Sequence, residues 1–172
     1  MFYNCQKLTA INGIENWDTS KVTTMQSLFH RCYDLTSLNL SNWNTSNVTN
    51  MNYLFYDCKN LITLDISNFD TSKLTNIYTN TFSSCKNLNS IKMNCCSADT
   101  INDIVSVLMT KTKDNFGIID LMNNKHIKGT NYDAAKNKYW KIYYRSDNRP
   151  FTKNISNKDT VAVSNKKRIT RC

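Results

Sequence analysis

The strongest constraint in this sequence is an internal repeat of 26 residues. Residues 25–50 align without a gap on residues 51–76, residues 1–24 form a truncated copy with one insertion, and residues 77–93 begin a further copy. A fixed period of this length indicates stacked units, because one unit cannot bury its apolar face alone. The recurring columns are Phe2, Phe29, Phe55, Phe82; Cys5, Cys32, Cys58, Cys85; Leu8, Leu35, Leu61, Leu88; Trp17, Trp43, Phe69; and Val22, Val48, Leu74.

Each repeat is predicted to contain one helix and one short strand. From Val48 to Cys58, apolar residues are spaced by three, four and three positions, which places them on one face of a helix. The preceding residues 44–46, Asn-Thr-Ser, are of the kind that caps the N-terminus of a helix. After each cysteine, an LxxLxL pattern ends in two apolar residues, such as Leu38 and Leu40, that alternate as in a strand.

One strand and one helix per unit predict an α/β fold, a leucine-rich-repeat-like solenoid of short strands and helices with a C-terminal cap and a basic tail. We expect the solenoid over residues 1–93, in about four units of which the first is truncated, capping units over 94–144, and the tail over 145–172. In the capping units we expect a helix over 97–109, a strand over 116–122, and a short helix running into a strand over 131–144.

The whole chain has a net charge of +9, and this positive charge is concentrated in its C-terminal part. Residues 1–93 carry 7 basic and 6 acidic side chains, whereas residues 145–172 carry 8 basic and 2 acidic ones. Such a segment is a candidate arm for an anionic partner, and nucleic acid binding would weaken steeply with salt. The alternative is a solvated tail, which the scarcity of interleaved aromatic residues favours. The candidate arm residues are Arg145, Arg149, Lys153, Lys166, Lys167, Arg168 and Arg171.

Catalytic and metal-binding patterns are not recognisable in the sequence. His30 and His126 lie in unrelated contexts, and His30 occupies a column that varies between repeats, which predicts a surface position. The recurring cysteines are expected to be small buried residues, and the adjacent pair at 95–96 has no CxxC partner. We therefore expect a protein that is not an enzyme and that carries no cofactor and no metal.

A binding face is predicted on the strands, because stacked units present their exposed strand positions side by side. Small polar side chains dominate this face, so we expect it to bind a glycan or a polar protein loop, the alternative being plain solvated sheet surface. The predicted face consists of Thr36, Ser37, Asn39, Ile62, Thr63, Asp65, Asn89, Ser90 and Lys92.

The segments MFYNCQKLTAI (1–11) and LSNWNTSNVTNMNYLFYDCKNLITLDISNFDTSKLTN (40–76) closely resemble the BspA-type repeat of bacterial surface proteins, which is also common in Mycoplasma lipoproteins. The resemblance covers roughly residues 1–93. It implies a leucine-rich-repeat-like fold and a role in adhesion or recognition at a cell surface, and it implies no catalytic residues.

Localisation and partners are predicted less directly. The chain shows neither a signal peptide pattern nor an apolar run long enough for a membrane span. The resemblance favours a cell-surface or extracellular protein, whereas the absence of a signal favours the alternative, a structural or host-attachment component of a phage virion or other multi-subunit assembly. An apolar edge at the start of the array (Met1, Phe2, Leu8, Ile11) predicts a packing partner or self-association.

Overall fold

The computed structural model describes residues 1–75, 80–108, 117–121 and 140–144. These residues form an α/β arrangement around a five-stranded parallel sheet whose strand order follows the chain. One short 3-10 helix covers Ile14–Asn16. The elements that follow are β1 (Ser37–Asn39), β2 (Thr63–Asp65), β3 (Ser90–Lys92), α1 (Ala98–Val107), β4 (Gly117–Leu121) and β5 (Trp140–Tyr144). None of the described helices is long and apolar enough to cross a membrane.

The strands of the repeats lie where the LxxLxL pattern predicted them. Their central residues, Leu38, Leu64 and Ile91, are buried and pair with one another in register. The flanking residues of β1 point to solvent, as the alternation of a half-buried strand requires. Equivalent residues of consecutive repeats therefore stand side by side, and the repeat period sets the register of the sheet.

The helix predicted in each repeat is wrong, because α1 is the only α-helix among the described residues. The segment from Val48 to Cys58 consists of turns, with Tyr53 and Asp57 at positive φ angles of 58° and 60°. A right-handed helix cannot continue through such residues. The amides of Leu54 and Cys58 bond three residues back within these turns, to Met51 and Phe55. Successive tight turns reproduce the apolar spacing of three and four residues that suggested a helix.

Backbone groups that a helix would satisfy internally are bonded instead to the neighbouring repeat. The Phe29 amide donates to the Leu54 carbonyl at 3.0 Å, and the Arg31 amide donates to the Tyr56 carbonyl at 2.9 Å. Each such bond is long-range in sequence, so the turns are stable only when a second repeat lies against the first. This dependence explains why local periodicity suggested a helix that tertiary structure excludes.

The Asp/Asn-Thr-Ser segments form Asx turns, so their predicted role as helix caps is also wrong. The Asn44 side-chain oxygen accepts from the Ser46 amide at 3.1 Å, which is a bond within the turn. The middle threonine is buried and bonds the next repeat: Thr19 Oγ1 donates to the Asn44 carbonyl at 3.0 Å and accepts from the Asn44 amide at 2.8 Å. Thr45 donates likewise to the Asp70 carbonyl. The short polar motif therefore joins repeats.

Two columns of aromatic rings run through the core. Neighbouring rings of the phenylalanine column stack with centroids 5.6, 5.6 and 5.2 Å apart. In the second column, Trp43 lies between Trp17 and Phe69 at 6.3 and 6.5 Å. Trp43 also donates from Nε1 to the Ile14 carbonyl at 2.8 Å, which satisfies its polar atom inside the core.

A column of cysteines bonds each repeat to the one before it. Cys58 Sγ donates to the Phe29 carbonyl at 3.0 Å, and Cys85 Sγ donates to the Phe55 carbonyl at 3.0 Å. Both side chains are buried free thiols, as expected for small core residues. The same Phe55 carbonyl also accepts the Cys58 amide, so one acceptor serves two repeats.

The segment after the repeats continues the sheet. Helix α1 begins at the predicted cap, where the Ser97 side chain accepts from the Thr100 amide, and its buried face includes Ile101 and Ile104. The predicted strands are confirmed as β4 and β5, and β4 pairs with β3. The short helix predicted before β5 lies outside the described residues.

Replacing Cys58 by Ala is expected to lower the free energy of unfolding by about 1–2 kcal/mol, because the buried hydrogen bond is lost and a small cavity forms. Cys5→Ala is the matched control: Cys5 is only half-buried and precedes the first inter-repeat thiol bond. The free energy of unfolding of Cys5→Ala is expected to fall by less than about 0.5 kcal/mol. Urea unfolding followed by circular dichroism measures both values, and equal losses would contradict the role given to the thiol.

Candidate functional site

The predicted face is assembled by the register of β1, β2 and β3. One row contains Ser37, Thr63 and Ser90, which pair directly across the three strands. A second row contains Asn39, Asp65 and Lys92, two residues further along each strand. The structure thus brings these six predicted residues together on one side of the sheet.

The remaining three predicted residues form a third row just before the strands. The Ile62 amide donates to the Thr36 carbonyl and the Asn89 amide donates to the Ile62 carbonyl, both at 2.8 Å. Ile62 stands in the middle of this row with 45% of its surface exposed. It places an apolar side chain between polar neighbours on an otherwise hydrophilic face.

The polar side chains of the second row are held in fixed orientations. Asn39 Oδ1 accepts from the amide and the hydroxyl of Ser41, at 3.1 and 2.7 Å. Asp65 Oδ1 accepts from the Ser67 amide at 3.1 Å, and its Oδ2 accepts from Lys92 Nζ at 3.0 Å. These bonds orient the groups before any ligand arrives, which lowers the entropy cost of binding.

The two charges on the face compensate one another. Lys92 and Asp65 form an ion pair, with side chains 49% and 23% exposed. An exposed pair of this kind contributes little to stability. Because the two charges are paired, the face presents directed hydrogen-bonding groups without a strong field of either sign.

A cluster of aromatic side chains lies on the turns that precede the strands, and sequence reasoning missed it. We call it the tyrosine cluster; it consists of Tyr3, His30, Tyr53 and Tyr56. The His30 ring lies 4.9 Å from Tyr3, 5.8 Å from Tyr53 and 5.0 Å from Tyr56, centroid to centroid. Three of the four residues in the His30 column (Tyr3, His30 and Tyr56) are aromatic, and this shared property is the sequence signal for the cluster.

The variable column predicted that His30 lies at the surface, but its side chain is partly buried. Both ring nitrogens are shielded from solvent and have no hydrogen-bond partner within the described part of the chain. Burial lowers the pKa of His30 most, the Arg31 guanidinium lowers it further, and the Asp57 carboxylate opposes both. The neutral imidazole therefore predominates near neutral pH. It packs against the three tyrosine rings as a further aromatic ring.

The buried thiols have the properties of core groups. Burial is the main cause that raises the pKa of Cys32 to about 11 and that of Cys85 to about 12. A thiol with so high a pKa is a poor nucleophile and a poor metal ligand near neutral pH. Among the residues the structure describes, no three His, Cys, Asp or Glu side chains are grouped so that they could hold a metal ion.

A cleft between α1 and the third repeat is lined mainly by apolar side chains, among them Leu54, Phe69 and Ile104. Its threonine hydroxyls are already bonded, since Thr100 Oγ1 donates to Thr71 Oγ1 at 2.9 Å and Thr81 Oγ1 donates to the Met51 carbonyl at 3.1 Å. Asp103 lies at the lining, and burial raises its pKa. Specific small-molecule sites need several directed polar groups, which this lining does not provide.

The basic arm predicted from Arg145 to Arg171 lies outside the described residues. The structure therefore contributes two candidate sites: the three rows of nine predicted residues, which we call the strand face, and the tyrosine cluster. The arm stays a prediction from sequence.

Acidification is expected to weaken the fold through His30. Its pKa is lowered from 6.5 in the folded protein, so the unfolded chain takes up the proton at higher pH. The stability contributed by the neutral ring is complete above pH 6.5 and is lost as the pH falls below it. His30→Tyr gives position 30 the residue that two other repeats have there, Tyr3 and Tyr56. This variant is expected to lose less stability on acidification. Urea unfolding at about pH 7.5 and about pH 5.5 measures the difference, and identical pH dependence of both proteins would contradict it.

Comparison with known proteins gives a family. No curated protein and no solved structure matches the chain significantly. A family model described as "Mycoplasma protein of unknown function, DUF285" matches residues 1–118, which include all the described repeats and α1. This family is a Mycoplasma repeat family related to BspA-like surface repeats. The match agrees with the resemblance of residues 1–93 to a surface repeat family. The chain belongs to the DUF285 family.

Proposed function

We propose that this chain is a leucine-rich-repeat-like solenoid that acts as a non-enzymatic recognition module and binds a protein or glycan at a cell surface. The observation that carries the proposal is the strand face, where exposed Ile62 lies beside rows of polar side chains with fixed orientation. The relation of the family to BspA-like surface repeats supports a location outside the cell.

Support for a solenoid comes from the way equivalent atoms of consecutive repeats bond. The inter-repeat bonds of thiols, threonine hydroxyls and backbone amides each join a residue to one 25 to 30 positions away. Stacking by a constant operation of this kind generates a regular array with one sheet along its length. Such arrays present a broad face whose side chains are set by a rigid backbone.

The composition of the strand face fits recognition better than catalysis. Interfaces combine apolar and polar groups, and here the apolar Ile62 is flanked by Thr36 and Asn89 in its row and followed by Thr63. Side chains of Asn39 and Asp65 keep free hydrogen-bonding capacity while their orientation is fixed. Sugar hydroxyls and polar protein loops both offer matching donors and acceptors.

A component of a virion or other assembly is the second candidate. It is favoured by the exposed apolar side chains at the start of the array, where Met1 is 79% exposed and Tyr3 is 55% exposed. Exposed apolar groups in one region are typical of surfaces that pack against another protein.

Ile62→Asp is expected to reduce binding at least about tenfold, because it introduces a charge at the exposed apolar position of the face. Fluorescently labelled protein is applied to a printed array of animal glycans and to cultured epithelial cells treated with glycosidase or protease. Sensitivity to glycosidase identifies a glycan ligand, and sensitivity to protease alone identifies a protein.

Thr23→Asp is the matched control, since Thr23 is an exposed residue outside the strand rows. It is expected to bind as the unchanged protein does. Equal loss in both variants, or no binding of the unchanged protein to either surface, would contradict recognition through the strand face.

A further inference from the structure

The first repeat leaves open a surface that every later repeat has covered. We call it the N-terminal face; it consists of Met1, Tyr3, Cys5, Lys7, Thr9 and Trp17. Trp17 is 36% exposed, whereas its equivalent Trp43 is 2% exposed. Cys5 is half-buried, whereas Cys32 and Cys58 are fully buried. These positions differ in exposure because nothing in the described chain stacks on the first repeat.

The turns of this face present two carbonyl acceptors. In the turns, amides of one repeat donate to carbonyls of the next: Phe2 donates to Leu28 and Asn4 donates to His30, at 3.0 and 2.7 Å. The same bonds recur one repeat later. Met1 and Tyr3 are the equivalents of Leu28 and His30, and within the described residues no amide donates to their carbonyls.

The segment before the strand presents donors, because there the direction of bonding is reversed. The Asp34 amide donates to the Gln6 carbonyl and the Asn60 amide donates to the Tyr33 carbonyl, both at 3.1 Å. The Ile62 amide donates to Thr36 in the same sense. Lys7 is the equivalent of Asp34 in the first repeat, and its amide has no acceptor in the described part of the chain.

Two side chains add donors at defined places. Cys32 Sγ donates to the Phe2 carbonyl at 3.2 Å, and Trp43 Nε1 donates to the Ile14 carbonyl at 2.8 Å. Cys5 and Trp17 hold the same positions at the open end. The N-terminal face thus combines acceptors at the turns with amide, thiol and indole donors elsewhere.

We infer that the N-terminal face is a docking surface for one further 26-residue unit of the same pattern, stacked in the same direction as the repeats already present. Such a unit provides turn amides for Met1 and Tyr3, and carbonyls for Lys7, Cys5 and Trp17. It continues an interface that the chain forms between its own repeats, so no new type of contact is needed.

A second copy of this chain does not supply that unit in the required direction. The side of its last two repeats that would do so is already occupied, because β4 pairs with β3 and the Ser97 amide donates to Thr71 Oγ1. The inference concerns a surface separate from the strand face, so it does not depend on the proposed recognition role.

The test adds a unit to the full chain. Residues 25–53 are duplicated directly before Met1, which places Met1 where the pattern has Leu54. Docking is expected to slow the alkylation of Cys5 by iodoacetamide at least about tenfold, measured by peptide mass spectrometry, because the thiol becomes buried. The urea m-value is expected to rise roughly in proportion to the added length.

The control is the same duplication with serine in place of the added copies of Phe29, Leu35 and Trp43. It is expected to leave Cys5 as reactive as in the original chain and the m-value unchanged. Equal behaviour of the two duplications would overturn the inference. A dimer of the original chain in light scattering, with Cys5 already protected, would overturn it too, because a head-to-head copy would then be the occupant.

Discussion

Hydrogen bonds between consecutive repeats hold the turns, the ring columns and the sheet in place. The Phe55 carbonyl shows how they work: it accepts the Cys58 amide of its own turn and the Cys85 thiol of the next repeat. Burial removes water as a hydrogen-bond partner, so each buried polar group needs a partner in the neighbouring repeat. A repeat therefore folds only against another repeat, and the turns, the ring columns and the sheet register form together.

Rigidity of the strand face follows from this bonding. Thr19 and Thr45 fix the spacing between repeats on one side, and the cysteine thiols fix it on another. The exposed residues of β1, β2 and β3 are consequently held at constant separation. The proposed recognition role relies on such a face, because modest polar groups at fixed positions can select a ligand without a deep pocket or a strong charge.

Much of the fold could be predicted because the repeat columns report burial directly. Phe29, Cys32, Leu35 and Val48 are all fully buried, and the strand at Leu38 lies where the LxxLxL pattern placed it. The helix in each repeat could not be excluded, because tight turns and helices share a spacing of three to four residues. The choice between them depends on whether an amide bonds within its segment or to another repeat, which local periodicity does not report.

The period, the core columns and the residues that face outward on the strands are encoded in the order of apolar and polar side chains, because these features follow from which side chains avoid water. Which outward residues meet depends instead on how the repeats stack. The tyrosine cluster forms because positive φ angles at Arg31, Tyr53 and Asp57 bend the turns so that rings of neighbouring repeats come into contact. The open bonding groups of the N-terminal face are likewise defined by the direction of inter-repeat hydrogen bonds, which depends on how whole repeats stack.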